Sequence, residues 1–131
     1  MARKPKKKGK TYWRKKCDEL WAIVVKHNGV CEICDNRAKV LHAHHLIGRS
    51  NYKYRHDPLN GVALCCQCHL FNDKCSAHAS TSGAVKFLET LKLKWPARYE
   101  WFMEHRNDKQ MEDKSFEETY LELKDMLTTF E

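Results

Sequence analysis

The chain has 131 residues, 31% of them charged and 42% hydrophobic, with a formal net charge of +7. That length fits one domain with tails, in which a modest core gains from a metal or disulfide staple. With no apolar run of about 18 residues and no apolar stretch after the basic N-terminus, neither a membrane span nor a signal peptide is expected, and a cytosolic location is the default expectation.

Residues 1–16, "MARKPKKKGKTYWRKK", carry nine Lys/Arg and no acid, whereas residues 17–131 carry fifteen bases and seventeen acids. The first ten residues are expected to form a disordered basic arm. Lys6, Lys7, Lys8 and Arg14 suit a phosphate backbone, and the alternative is a solubilising tail. "TYWRKKCDELWAIVVKHNG" predicts a helix with Trp13, Cys17, Leu20, Trp21, Val24 and Val25 on one face. Asn28-Gly29 is its stop signal, and Cys17 belongs to the core.

A CxxC turn at Cys31 and Cys34 follows. "KVLHAHHLI" then reads as a strand ending at Gly48. "RSNYKYRHDPLNG" is a polar loop, "VALC" a second strand, and "HLFNDKC" the start of a short helix. "GAVKFLETLKLKW" predicts a helix with Val85, Phe87, Leu88, Leu91 and Trp95 on one side. Pro96 breaks it and opens "PARYEWFMEHR", in which Tyr99, Trp101, Phe102 and Met103 are packing residues. "SFEETYLELKDMLTTF" carries a capping box at Ser115 and Glu118 and an apolar stripe of Phe116, Tyr120, Leu123 and Leu127. From Glu100 onward ten acids face four bases, which disfavours a nucleic-acid contact there.

The two CxxC pairs, Cys31/Cys34 and Cys65/Cys68, are thirty residues apart. Two such turns complete a tetrahedral four-cysteine site, closed to catalysis, and zinc is the expected ion. A redox CxxC accounts for one pair but not for two. Simple ribbons have roughly 15–20 residues between pairs, so an extra element lies inside this one. Cys66 and Cys75 are read as free thiols.

Five of the eight histidines lie in residues 42–69. His44 and His45 are adjacent, so on a strand they point to opposite faces. One can hold a cation while the other acts as a general base, a division suited to metal-assisted hydrolysis. His42 shares the face of His44 as a supporting or alternative ligand. His56, in the polar loop, is expected to be solvated.

"HAHHLIGRSN" and "DPLNGVALCCQCH", with the flanking CxxC, resemble the HNH endonucleases of the ββα-metal class. Phage-type members with a basic N-terminal helix and phage recombination nucleases are the most similar. The resemblance spans residues 11–105 and is specific in the motif region. It implies an α+β fold: a zinc-stapled ββα-metal core with flanking helices at both ends, followed by a helical extension over 106–131. It further implies that His44 and His69 bind a catalytic divalent cation (Mg, Mn, Ni or Zn), that His45 is the general base, and that Asn60 orients it. The position where many members carry another histidine is Asp73 here. Asp73 or His78 completes the site, and His78 is favoured because related phage proteins carry a similar Ser-Ala-His stretch. DNA is the implied partner, with phage recombination or packaging proteins as further partners. Arg49, Lys53 and Arg55 are expected phosphate contacts. The rival readings are a non-catalytic zinc module that binds nucleic acid and an accessory protein of a phage packaging complex.

Overall fold

The computed structural model describes residues 7–109 and 114–130. Lys6 and most of the basic arm lie outside the described residues. The protein is a mixed helix-and-sheet fold, a two-stranded antiparallel ribbon flanked by helices. No described helix is long and apolar enough to cross a membrane.

Helix α1 spans Lys10–Val25 and buries Cys17, Trp21 and Val24, one stripe at helical spacing. It ends earlier than Asn28-Gly29 suggests. A turn intervenes, and Gly29 takes a left-handed φ of 72° that glycine adopts without steric cost. The Cys31–Cys34 turn follows.

Strand β1 is His42–His45 and β2 is Gly61–Leu64, paired so that His44 faces Val62 and His45 faces Gly61. β1 is shorter than the run 39–47 suggests. Beyond Leu46, whose N–H donates to the Asn60 carbonyl, the partner of the chain is a side chain. Asn60 Oδ1 accepts from the Ile47 N–H at 2.6 Å, and Asn60 Nδ2 donates to the Ile47 carbonyl at 2.9 Å. This amide imitates one more rung of the ladder.

β2 is buried along its whole length. Its other edge is covered by the first CxxC turn. The Glu32 N–H donates to the Ala63 carbonyl, and the Ala63 N–H donates to the Glu32 carboxylate. Arg98 Nη1 donates to the same carboxylate at 2.9 Å, so this buried charge is paired. Gly61 has no substitute: a Cβ there would overlap Val25 and Trp21 of α1.

The expected helix at 69–75 is a single π-helical turn, Gln67–Phe71. Helix α2, Thr81–Lys94, starts on the Ser80 hydroxyl, which accepts from the Gly83 N–H. It buries Phe87 and Leu91, with Leu88 and Trp95 partly covered. Val85, expected on the same side, is 53% exposed. Helix α3, Pro96–His105, has proline in its first turn and no fully buried residue. Met103 is exposed, whereas Trp101 meets the Tyr54 ring edge-on.

Helix α4, Phe116–Thr129, begins with Ser115 accepting from the Glu118 N–H. Its stripe of Phe116, Tyr120, Leu123 and Leu127 lies against Cys17, Trp21 and Val24. The second apolar cluster joins Cys31, Ile33, Val62, Leu64, Cys65 and Cys68 to Phe87 and Leu91. The ribbon thus sits between the α1–α4 layer and the cysteine–α2 layer.

Leu123 is 2% exposed between α1 and α4. Leu123→Ala should cost about 2–5 kcal/mol in urea unfolding, the range for truncating a buried leucine. A loss below about 0.5 kcal/mol, the scale of surface substitutions, would mean that α4 does not carry this packing.

Candidate metal and hydrolytic site

Cys31, Cys34, Cys65 and Cys68 converge, with their sulfur atoms within 4.8 Å of one another. Cys34 Sγ and Cys65 Sγ are 3.7 Å apart. A disulfide needs about 2.05 Å. Two thiolates on a tetrahedral ion with bonds of about 2.3 Å stand about 3.8 Å apart, so the spacing fits a shared ion. Burial raises the Cys31 pKa, but the backbone N–H groups of Cys34, Cys65 and Ile33 outweigh it and hold the thiol below its ordinary value. Burial and the neighbouring sulfurs hold Cys68 up, and burial does the same for Cys34. Four thiols this close cannot all ionise without a cation, and a bound metal such as zinc would supply one. Cys66 and Cys75 lie outside the cluster.

A second group forms around β1. His44, His69 and His78 each offer a nitrogen within 4.8 Å of the others. Their ring centres stand 5.2, 4.9 and 5.0 Å apart. Three imidazoles on a tetrahedral ion with bonds of about 2.0–2.1 Å would have ring centres about 5 Å apart, so these rings also fit a cation. Asp73, the alternative third ligand, is not in the group. Its backbone carbonyl instead accepts from the Ser80 hydroxyl.

Local backbone pairing explains why His78 arrives here. The Ala77 N–H donates to the Cys68 carbonyl and the His78 N–H to the His69 carbonyl, laying 77–78 alongside 68–69. Buried Ser76 fixes the turn by accepting from the Ala79 N–H. His42 takes a supporting place. Its Nδ1 is 2.8 Å from Nδ1 of His69. A His69 ring donating this proton to His42 keeps Nε2 free as a ligand.

The His45 ring points the other way, onto α1. It stacks on Trp21 with centres 3.9 Å apart and planes 10° apart. Its Nε2 is 2.9 Å from the Arg55 carbonyl. A carbonyl only accepts, so Nε2 carries the proton and neutral His45 keeps a bare Nδ1. Burial lowers its pKa to about 4; the carbonyl bond and Asp18 oppose this, while Arg55 and Arg49 add to it. Burial, with repulsion from His69, His78 and His45, takes His44 down to about 3. Burial, with repulsion from His78 and His42, takes His69 to about 4. All three are neutral at pH 7, as a ligand or a base must be.

Asn60 is fully buried and also donates to the Tyr54 carbonyl at 3.1 Å, pinning the loop that carries Arg55. The loop differs from the sequence expectation in two ways. His56 is buried rather than solvated, with Nε2 2.6 Å from the Asp18 carboxylate. Arg55 is not a free phosphate clamp. Its Nε and Nη2 both donate to Asp18 at 2.9 Å. Arg49 remains exposed at the mouth, its side chain in no hydrogen bond or ion pair among the described residues. Lys53 lies over the Tyr54 ring, away from this cleft. Lys7 and Lys8 are exposed ahead of α1, and half-buried Arg14 lies on α1 one turn before Asp18.

His44, His45, His69, His78 and Arg49 line one open cleft of ≈ 630 Å³, together with Asp18 and Trp21 of α1. Sequence reasoning missed Asp18 and Trp21 as site residues. The available signal was Asp18 itself, the first acid after seventeen residues without one. Comparisons of the chain with models of protein families, with curated proteins and with solved structures found no match.

Cys31→Ser should remove one tightly held ion per chain and lower the melting temperature, whereas His78→Ala should leave that ion in place. Metal analysis after dialysis checks this, and equal ion content in Cys31→Ser and wild type would refute the four-sulfur site.

The depressed histidines also set an acid limit. Their folded values of about 3 to 4 lie below the ordinary 6.5, so the unfolded chain binds more protons in between. Stability is then full above pH 6.5 and falls as pH drops through that window. Urea midpoints from pH 7 to 4 should decline less steeply for His45→Gln than for wild type. Identical slopes would show that His45 is not held neutral.

Proposed function

We propose that this chain is a metal-dependent endonuclease of the HNH kind that hydrolyses DNA phosphodiester bonds. The observation that carries the reading is His45: its Nε2 proton is committed to the Arg55 carbonyl, and its ring borders the cleft of His44, His69 and His78. A fixed base beside three convergent imidazoles is the division of labour that metal-assisted hydrolysis requires. On this reading the ribbon and the turn after Cys66 form a ββα-metal core.

His44, His69 and His78 hold the divalent cation, and the four cysteines hold zinc. Two or three imidazoles suit Zn, Ni, Co or Mn better than Mg. When bound, the cation stabilises charge developing on the scissile phosphate and on the departing 3′ oxygen. His45 Nδ1 takes a proton from water, whose oxygen attacks phosphorus in line and displaces the 3′ oxygen. The 3′ oxygen leaves as a hydroxyl with a proton from solvent, and a 5′-phosphate remains. The imidazolium stays hydrogen-bonded to the Arg55 carbonyl until it returns its proton to solvent.

Arg49, exposed at the mouth and in no ion pair among the described residues, is the cation best placed to take a phosphate oxygen. The exposed bases ahead of α1 suit the flanking backbone. The acidic face of α4 suits a protein partner rather than DNA. A zinc module without catalysis would use the arm and the cysteines, but would give no role to the fixed tautomer of His45.

The test is cleavage of supercoiled plasmid by wild type and His45→Ala with Mg, Mn, Ni or Zn added. Wild type should cut only with added metal. His45→Ala should lose about 10²–10⁴-fold in rate, the usual worth of a general base, while still binding DNA. Equal rates in the two proteins would remove His45 as base. DNA binding without cutting by either would favour the binding module.

A further inference from the structure

We propose that Asp18, acting through Arg55, is a positioning residue that fixes the orientation and tautomer of His45. The inference rests on His45 being the base, and it assigns part of the reaction machinery to α1.

The Asp18 carboxylate accepts from Arg55 Nε and Nη2 at 2.9 Å each, a two-pronged contact that holds the guanidinium in one plane. Its Oδ1 also lies 2.6 Å from Nε2 of buried His56. Two consecutive loop residues are thereby tied to one side chain. The Arg55 carbonyl lies in the tied segment and accepts the His45 Nε2 proton. Arg55 Nη1 reaches back to the Arg49 carbonyl at 3.3 Å, closing the loop on itself. Trp21, three residues after Asp18, works beside it. Its ring covers His45, and its Nε1 donates to the Asp57 carbonyl at 2.9 Å. Helix α1 therefore grips residues 55–57 at three places and touches the base at a fourth.

A carboxylate bordering a cleft that receives phosphate is otherwise out of place. Its side chain is 36% exposed, and its charge repels an anionic substrate. Arg55 offsets that charge, His56 donates a hydrogen bond to it, and in return the loop is held. A residue kept only for stability would not need to stand at this rim. Clamping therefore predicts a split that a merely structural role would not give. Removing the charge should slow the chemical step without weakening DNA binding.

Asp18→Asn keeps the volume but sets an NH2 donor against Arg55. In the full chain with its zinc, kcat should fall about 10- to 100-fold, the scale of a displaced catalytic group. DNA affinity, measured without added divalent ion, should be unchanged or tighter. The nitrogen-15 signals of His45 should move from a single Nε2–H form toward a mixture of tautomers. Glu19→Gln, which removes the neighbouring acid whose exposed partner is Lys16 at 3.6 Å, should change none of these. Unchanged His45 signals in Asp18→Asn would overturn the proposal. So would parallel losses of kcat, DNA affinity and melting temperature. If wild type does not cut DNA but Asp18→Asn still shifts the His45 signals, the nuclease reading fails and the clamp stands.

Discussion

One buried amide sets the geometry of the site. Asn60 is fully enclosed, accepts from the Ile47 N–H and donates to the Ile47 and Tyr54 carbonyls. It ends β1, begins β2 and ties both to the middle of the loop between them. Buried polar groups are costly when unpaired, so this arrangement is all or nothing. The amide ties Tyr54, next to Arg55, to the end of the strand that carries His45, and the Arg55 carbonyl meets the His45 ring.

The ribbon that carries the histidines is four residues long on each side, too short to be stable alone. It is held by what covers its faces and edge. Glu32 of the first CxxC turn caps the β2 edge, and Trp95 Nε1 donates to the Glu32 carbonyl. On the opposite layer α1 comes so close that only glycine fits at position 61. The cysteine cluster is thus more than a staple between two turns. It anchors the strand against which His44 and His45 are registered.

Charge in the cleft is balanced by neutrality rather than by pairs. Burial holds all three of His44, His45 and His69 neutral, helped by neighbouring histidines at His44 and His69 and by Arg55 and Arg49 at His45, which leaves their lone pairs available. Among the described residues lining the cleft, the carboxylate of Asp18 is taken up by Arg55 and by a hydrogen bond from His56. Among the described residues Arg49, exposed at the mouth of the cleft, has no ion-pair partner.

Local patterns in the sequence already determined the helices and their buried faces. Cys17, Trp21 and Val24 recur at helical spacing, Ser115 caps α4, and Pro96 divides α2 from α3. The paired CxxC spacing marked the four-sulfur cluster, because two such turns can face one ion whatever lies between them. Adjacent histidines on a strand had to diverge, since side chains alternate. What the sequence left open depended on long-range contacts. Whether Asp73 or His78 joined His44 and His69 was decided by the backbone pairing of 77–78 with 68–69. His56 read as solvated and Arg55 as free because their partner, Asp18, lies 37 and 38 residues earlier, on another element. No periodicity encodes such a meeting. It arises only when α1 packs across the ribbon, and that packing makes a helix outside the histidine motif part of the site.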